Sequence, residues 1–303
     1  MSVSTEVSEY SVRQSIAART PPRLRRLVRM ALNYTQLIKM WLLILAQLRP
    51  SDRQSRKTLW LSAAAALATD WSQLDKFQKP IPLGDLVVDI PGIGRFSIRA
   101  NTDDLFSIMP AREHGVRSIV EGCIGPGSIF VDGGANLGFY SILAAKRAGS
   151  GGRVIAFEMM PDTAALLRSN VAANGPLAIE IDERALSDRD GQSVNASVEP
   201  GQHGQASIVK EGAHGRKVIE VKTVTLDSAL LGYGPIDLIK LDLEGAEYAA
   251  LQGAKSVLAR TSCVVFESNE RDHRIFDLLA DAGFLVEKIE GFDFVAKRVT
   301  GLK

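Results

Sequence analysis

The stretch that most limits how this chain can fold runs from Ile129 to Ser141. An apolar run, Ile129-Phe130-Val131, ends at Asp132. Gly133-Gly134-Ala135-Asn136-Leu137-Gly138 follows, and helix-like spacing begins at Phe139. That order predicts a strand, a tight turn and a helix N-terminus. Glycine has no Cβ, so backbone N–H groups in such a turn can approach a small ligand closely, and the helix end favours negative charge.

From Ser128 onward the theme repeats. Strands are read at 128–132, 153–158, 177–181, 218–224, 236–242 and 262–267, with helices at about 138–148, 161–174, 246–259 and 271–282. Near-continuous apolar strands alternating with helices indicate a mostly parallel sheet covered on both faces. A closing hairpin, 284–289 with 292–298, adds an antiparallel edge. Residues 188–216, rich in Gly, Ser, His and Gln, read as loop with short strands, and His203 and His214 there as solvated. A further hairpin is expected around Pro91-Gly92-Ile93-Gly94, then a helix at about 111–122.

Residues 1–80 differ in character from 81–303, and the chain divides into a basic extension and a main domain at that point. Net charge is near zero overall, which gives no electrostatic case for nucleic acid. Yet residues 1–60 hold eleven basic side chains against three acidic ones. Residues 1–21 are polar and expected to be disordered; helices are expected at 24–48 and about 58–74. The apolar core of the first, Met40 to Ala46, is far too short to span a bilayer. It reads as an amphipathic helix packed on the main domain or on a partner subunit, or as a basic helix on a membrane surface, which Trp41 and the arginines would suit. No apolar leader opens the chain, and Cys123 and Cys263 have neither metal-ligand nor redox spacing, so a reducing cytoplasm, with peripheral membrane contact through 24–48 as an option, is the expected setting.

In an open parallel sheet, ligands bind beyond the carboxyl ends of the strands. Four strands end in acids: Asp132, Glu158, Asp242 and Glu267. Their joint occurrence says more than any one of them. Gly133-x-Ala135-x-x-Gly138 is a near miss to the dinucleotide fingerprint, and Glu158 stands where a ribose-binding acid would in a nicotinamide or an adenosyl-cofactor site. Asp132 directly before the glycines suits the ammonium of an amino acid better than a pyrophosphate. Asn136 is either a turn residue that tolerates left-handed backbone or a ligand-binding one, and the two are compatible.

Phe130 to Ser141 resembles the first motif of S-adenosylmethionine-dependent methyltransferases of the FkbM type. Phe157-Glu158-Met159-Met160-Pro161 resembles the second, with one extra residue before the proline. Ile239-Lys240-Leu241-Asp242-Leu243-Glu244-Gly245-Ala246-Glu247 resembles the most distinctive block of that family. The likeness covers about residues 85–298. It implies a Rossmann-like class I methyltransferase fold with an N-terminal helical extension. It further implies S-adenosylmethionine as cofactor, with Asp132, Gly134, Asn136 and Gly138 around its methionine portion and Glu158 on the ribose hydroxyls. The segment 183–188, with Ala185, would border the adenine. The acceptor implied is a hydroxyl of a sugar or secondary metabolite.

Methyl transfer to a hydroxyl requires positioning and removal of a proton. Strand alternation turns Lys240 and Asp242 to the same side. Asp242 with Glu267 has the oxygen chemistry to hold a hard divalent cation. The same pair can instead act as base and orienting acid, with Lys240 stabilising the alkoxide. Glu244 can bridge Lys240 across the turn, and Glu247 suits a helix N-terminus. His273, six residues past Glu267, is a further candidate or a surface residue. Two other classes remain: a nicotinamide-dependent oxidoreductase, and a non-catalytic membrane-associated protein of the same fold.

Overall fold

The computed structural model describes residues 21–198, 201, 207–208, 217–269 and 273–299. The expected disorder of residues 1–20 and the solvated reading of His203 and His214 fall outside them. The chain begins with α1 (Pro22–Gln47), opened by proline at its first position, where a missing N–H costs nothing. A short strand β1 (Arg49–Pro50) follows, then α2 (Arg53–Leu67), which Asp52 caps by accepting from the Ser55 N–H at 2.7 Å. That cap moves the second helix earlier than expected. It ends at Leu67, and Trp71–Asp75 forms a separate 3₁₀ turn.

β1 pairs antiparallel with β2 (Leu86–Ile90), which pairs with β3 (Gly94–Ile98), a three-stranded sheet. Two asparagines hold this hairpin against the main domain. Asn170 accepts from the Ser97 N–H at 2.8 Å and donates to the Leu137 carbonyl, while Asn174 accepts from the Arg95 N–H and donates to its carbonyl. Next come α3 (Asp104–Ser107) and α4 (His114–Cys123).

The main sheet starts with β4 (Ile129–Gly133), α5 (Phe139–Ala148), β5 (Arg153–Phe157), α6 (Pro161–Ala173) and β6 (Ile179–Asp182). Eight of the ten residues of α5 are buried. A helix apolar on every side needs cover on every side. The sheet supplies one face, and the hairpin and α4 supply the other; Phe96 stacks on Phe139 with centroids 6.2 Å apart. Met30, Leu37, Met40, Trp41 and Ile44 of α1 belong to the same buried cluster. Trp41, 3 % exposed, is therefore a core residue, which removes it as the membrane anchor the sequence allowed.

Then come β7 (Ala185–Leu186), β8 (Ser193–Val198), β9 (Ser207–Ile208) and β10 (Lys217–Val224), a small sheet ordered β7-β10-β8-β9. After α7 (Leu226–Ala229) and β11 (Ile236–Leu241) the chain forms α8 (Glu247–Gln252) and α9 (Lys255–Leu258). One helix was expected here. It breaks at Gly253, where a Cβ would lie 2.3 Å from the Ser187 carbonyl oxygen, and Asp227 caps the second piece through the Ser256 and Val257 N–H groups. β12 (Thr261–Glu267), α10 (His273–Asp281), β13 (Phe284–Glu290) and β14 (Asp293–Arg298) complete the chain.

The seven strands of the main sheet run β13-β14-β12-β11-β4-β5-β6. β14 is antiparallel to both neighbours and lies inside, leaving β13 at the edge. This inverted insertion departs from the 3-2-1-4-5-6 order of dinucleotide-binding sheets. Chain order reverses at β4, between β11 and β5, the place where such sheets bind ligands. No helix among the described residues is long and apolar enough to cross a membrane.

Candidate active site

The four strand-end acids come from four adjacent strands. Read across the sheet, they are Glu267 on β12, Asp242 after β11, Asp132 on β4 and Glu158 after β5. They occupy two depths. Asp132 pairs in register with Lys240 and is one level below the others, 1 % exposed.

The turn after β4 is built around Glu158. Its two oxygens accept from the Asn136 and Met160 N–H groups, each at 2.9 Å, and the Gly134 and Ala135 N–H groups donate to the Phe157 carbonyl. The β4 turn is thus fastened to the end of β5. Gly134, at φ +79°, has no room for a side chain: a Cβ would be 1.9 Å from the Asp242 carbonyl oxygen. Asn136, at φ +48°, takes the left-handed backbone expected of it. Gly138, at φ +87°, does different work. It opens α5, and a Cβ there would strike Leu167 at 2.4 Å.

Above this turn is a cleft partly open to solvent. Gly134, Asn136, Glu158, Ala185 and Asp242 line it, joined by Arg112. Asp132, Gly138, Lys240 and Glu267 are not among its walls. A second groove adjoins it, lined by Glu244, Glu247, Tyr248, Glu267, Asn269 and Phe292. Glu244 borders both. Exposed His273, the first residue of α10, lines neither.

Lys240 is the cation beneath the site. Its Nζ lies 3.2 Å from Asp242 Oδ2 and 5.1 Å from the centre of the Tyr140 ring. Burial works against the ammonium, but the carboxylates of Asp242 and Asp132 outweigh it and raise its pKa. Buried 95 % behind Asp242, it cannot meet an alkoxide in the cleft, and its partner is Asp242 rather than Glu244. Asp132 accepts from Ser141 Oγ at 2.5 Å, while its Oδ1 has no hydrogen-bond partner. Burial raises the Asp132 pKa, against the pull of Lys240.

Asp242 and Glu267 are neighbours and divide in their titration. Burial alone would raise Asp242, but Lys240 and Arg112 hold it below the ordinary carboxylate value. Burial and the Asp242 charge push Glu267 up to about 7. Glu267 thus titrates near neutrality beside an Asp242 that ionises well below it, two carboxyls whose titrations are pushed apart. Among the described residues no group of three or more His, Cys, Asp or Glu could hold a metal ion.

Arg112 and Glu113 carry no motif and escaped the sequence reading. They form an ion pair ahead of α4; Glu113 accepts from the Tyr140 hydroxyl at 2.8 Å, and Arg112 lies over the Phe106 ring. Glu247 has a structural task, accepting from the Leu243 and Gly245 N–H groups at the start of α8.

A family model described as the methyltransferase FkbM domain matches residues 132–286, just over half of the chain. No curated protein matches. Similar solved structures include a SAM-dependent O-methyltransferase of Thermotoga maritima, at 13 % identity over 77 % of this chain and 83 % of that one, with a TM-score of 0.42. A precorrin-6y C5,15-methyltransferase of Geobacter metallireducens GS-15 follows at 15 % identity, 60 % and 88 % coverage and a TM-score of 0.38. A putative rRNA-methylase of Clostridium thermocellum has 9 % identity, 62 % and 96 % coverage and a TM-score of 0.40.

Proposed function

The chain belongs to the methyltransferase FkbM domain family and uses S-adenosylmethionine, and from that premise we propose that it methylates an oxygen, a hydroxyl of a small molecule or saccharide. The nicotinamide and non-catalytic alternatives fall with the family match.

Two features support the fit of the cofactor to the first cleft. Asn136 Oδ1 is buried at the cleft wall without a hydrogen-bond partner, and an ammonium or hydroxyl donor would satisfy it. Each Glu158 oxygen accepts a single backbone N–H, leaving one acceptor site apiece for a pair of ribose hydroxyls. When bound, the cofactor supplies an electrophilic methyl on a sulfonium. Gly134, Asn136 and Glu158 would hold it, with Ala185 on the adenine side. Asp132 and Gly138 would act beneath it, fixing the turn.

The observation that carries the oxygen acceptor is the carboxyl pair. Asp242 borders the cofactor cleft and Glu267 the neighbouring groove, and Glu244 borders both, so the pair sits where the two spaces meet. A hydroxyl entering from the groove would meet this pair first. Asp242, held ionised by Lys240 beneath it, accepts the hydroxyl proton, and Glu267 orients it. Lys240 is a positioning residue in this account. Near-zero net charge supports a small acceptor over a nucleic acid. Labelled methyl transfer to a panel of sugars and hydroxylated metabolites, against amine analogues, tests the proposal. Transfer to hydroxyls alone is expected, and transfer to amines alone would overturn it.

A further inference from the structure

Helix α1 has two apolar faces, and the core uses one. Met30, Leu37, Met40, Trp41 and Ile44 turn inward. Leu24, Leu27, Val28, Leu32 and Leu42 recur at helical spacing on the opposite side and are exposed, Leu32 by 63 % and Leu42 by 62 %. Exposed apolar side chains on the solvent side, Leu24 to Leu32 in the first turns and Leu42 beyond Thr35, Gln36 and Lys39, need an occupant. α2 and the turn after it add exposed apolar side chains of their own. Tyr34 donates to the Leu67 carbonyl at 3.1 Å and packs on Trp71, its ring 5.4 Å away, while Trp60, Leu61 and Leu67 stay exposed.

Charge selects the occupant. α1 and α2 together hold Arg23, Arg25, Arg26, Arg29, Lys39, Arg53, Arg56 and Lys57 and no acidic residue. Arg26 and Arg29 already pair with Asp75 of the 3₁₀ turn, so a second copy docked through this face would set the remaining cations against one another with no carboxylate on either helix to meet them. A nucleic acid would match the charge but leave the leucines and tryptophans in water. An anionic bilayer surface satisfies both, taking leucine and tryptophan into the headgroup region while arginine and lysine reach the phosphates.

We propose that the outward face of α1, extended by Trp60, Leu61, Leu67 and Trp71, docks this chain on an anionic lipid surface. The catalytic domain then works beside the membrane, held there without spanning it. This rests on the surface alone and stands apart from the proposed acceptor.

The test is co-sedimentation of the full chain with vesicles of phosphatidylcholine alone and of phosphatidylcholine with about a third phosphatidylserine. Binding to the anionic vesicles is expected, with a blue shift in tryptophan emission from exposed Trp60 and Trp71. It should weaken on raising salt to about 0.5 M. The double variant Leu32→Glu/Leu42→Glu should bind about tenfold or more weakly with an unchanged thermal melt. No binding by the wild type, or equal binding by the double variant, would overturn the proposal. So would a wild-type dimer that the double variant dissociates while neither sediments with vesicles, since the face would then belong to a second copy. If the double variant fails to fold, brominated-lipid quenching of wild-type fluorescence decides: quenching is expected, and its absence contradicts the proposal.

Discussion

Gly134 and Asp242 meet backbone to backbone: any Cβ on Gly134 would stand 1.9 Å from the Asp242 carbonyl oxygen. The glycine turn after β4 and the acidic turn after β11 are therefore one structural unit. A side chain at position 134 would separate the cofactor wall from the carboxyl pair.

Gly134→Ala should therefore cost more than its φ of +79° alone, which accounts for about 1–3 kcal/mol. Both turns must move. A lowered melting temperature together with loss of S-adenosylhomocysteine binding is expected; retention of wild-type affinity would show the turns to be independent.

Glu158→Gln keeps the shape but loses the charge that ribose hydroxyls favour. Affinity for S-adenosylhomocysteine should fall by about 10–100-fold, the usual worth of a charge-assisted hydrogen bond. Calorimetry measures it.

Burial holds Glu158 at about 7, so its ionisation governs cofactor binding in the neutral range. Affinity should rise from about pH 6 to pH 8 and level off, with the slope absent in Glu158→Gln. The unliganded protein should show the opposite trend. A carboxyl with a raised folded pKa contributes stability that is full below about 4.5 and lost as pH rises through about 7. Glu158→Gln and Glu267→Gln should each flatten the decline in melting temperature across that window.

Asp242→Asn should lower turnover by about a hundred- to ten-thousand-fold while leaving S-adenosylhomocysteine affinity within a few-fold. Glu267→Gln should be milder, because it keeps the shape and a polar side chain beside Asp242. Equal losses would mean the two carboxyls share the proton transfer.

Lys240→Met leaves the buried Asp132 without its cation and Asp242 with Arg112 alone, a loss of about 3–5 kcal/mol on urea unfolding. Adding Asp132→Asn should recover part of it. If the double variant is no more stable than Lys240→Met, Asp132 is not coupled to the lysine.

Much of the site was legible because parallel sheets force it. Four strands ending in acids had to bring those acids to one edge, and strand alternation put Lys240 beside Asp242. Depth was not legible. Asp132 precedes the glycines in sequence, yet the strand pleat sinks it beneath the turn, and Lys240 with it. Arg112 and Glu113 had no motif to mark them; only the tertiary packing of the segment ahead of α4 brings Arg112 to the cleft and Glu113 to Tyr140. Trp41 suited a membrane helix in isolation, and only the packed structure shows that the membrane-like face is the other one. The break at Gly253 turns on the nearby Ser187 carbonyl, a contact remote in sequence.

The central claim is that the cleft over Gly134, Asn136 and Glu158 holds S-adenosylmethionine. Isothermal titration of the full chain with S-adenosylhomocysteine tests it most directly. One site per chain is predicted, weakened in Glu158→Gln; no heat of binding to protein that melts cooperatively would contradict it.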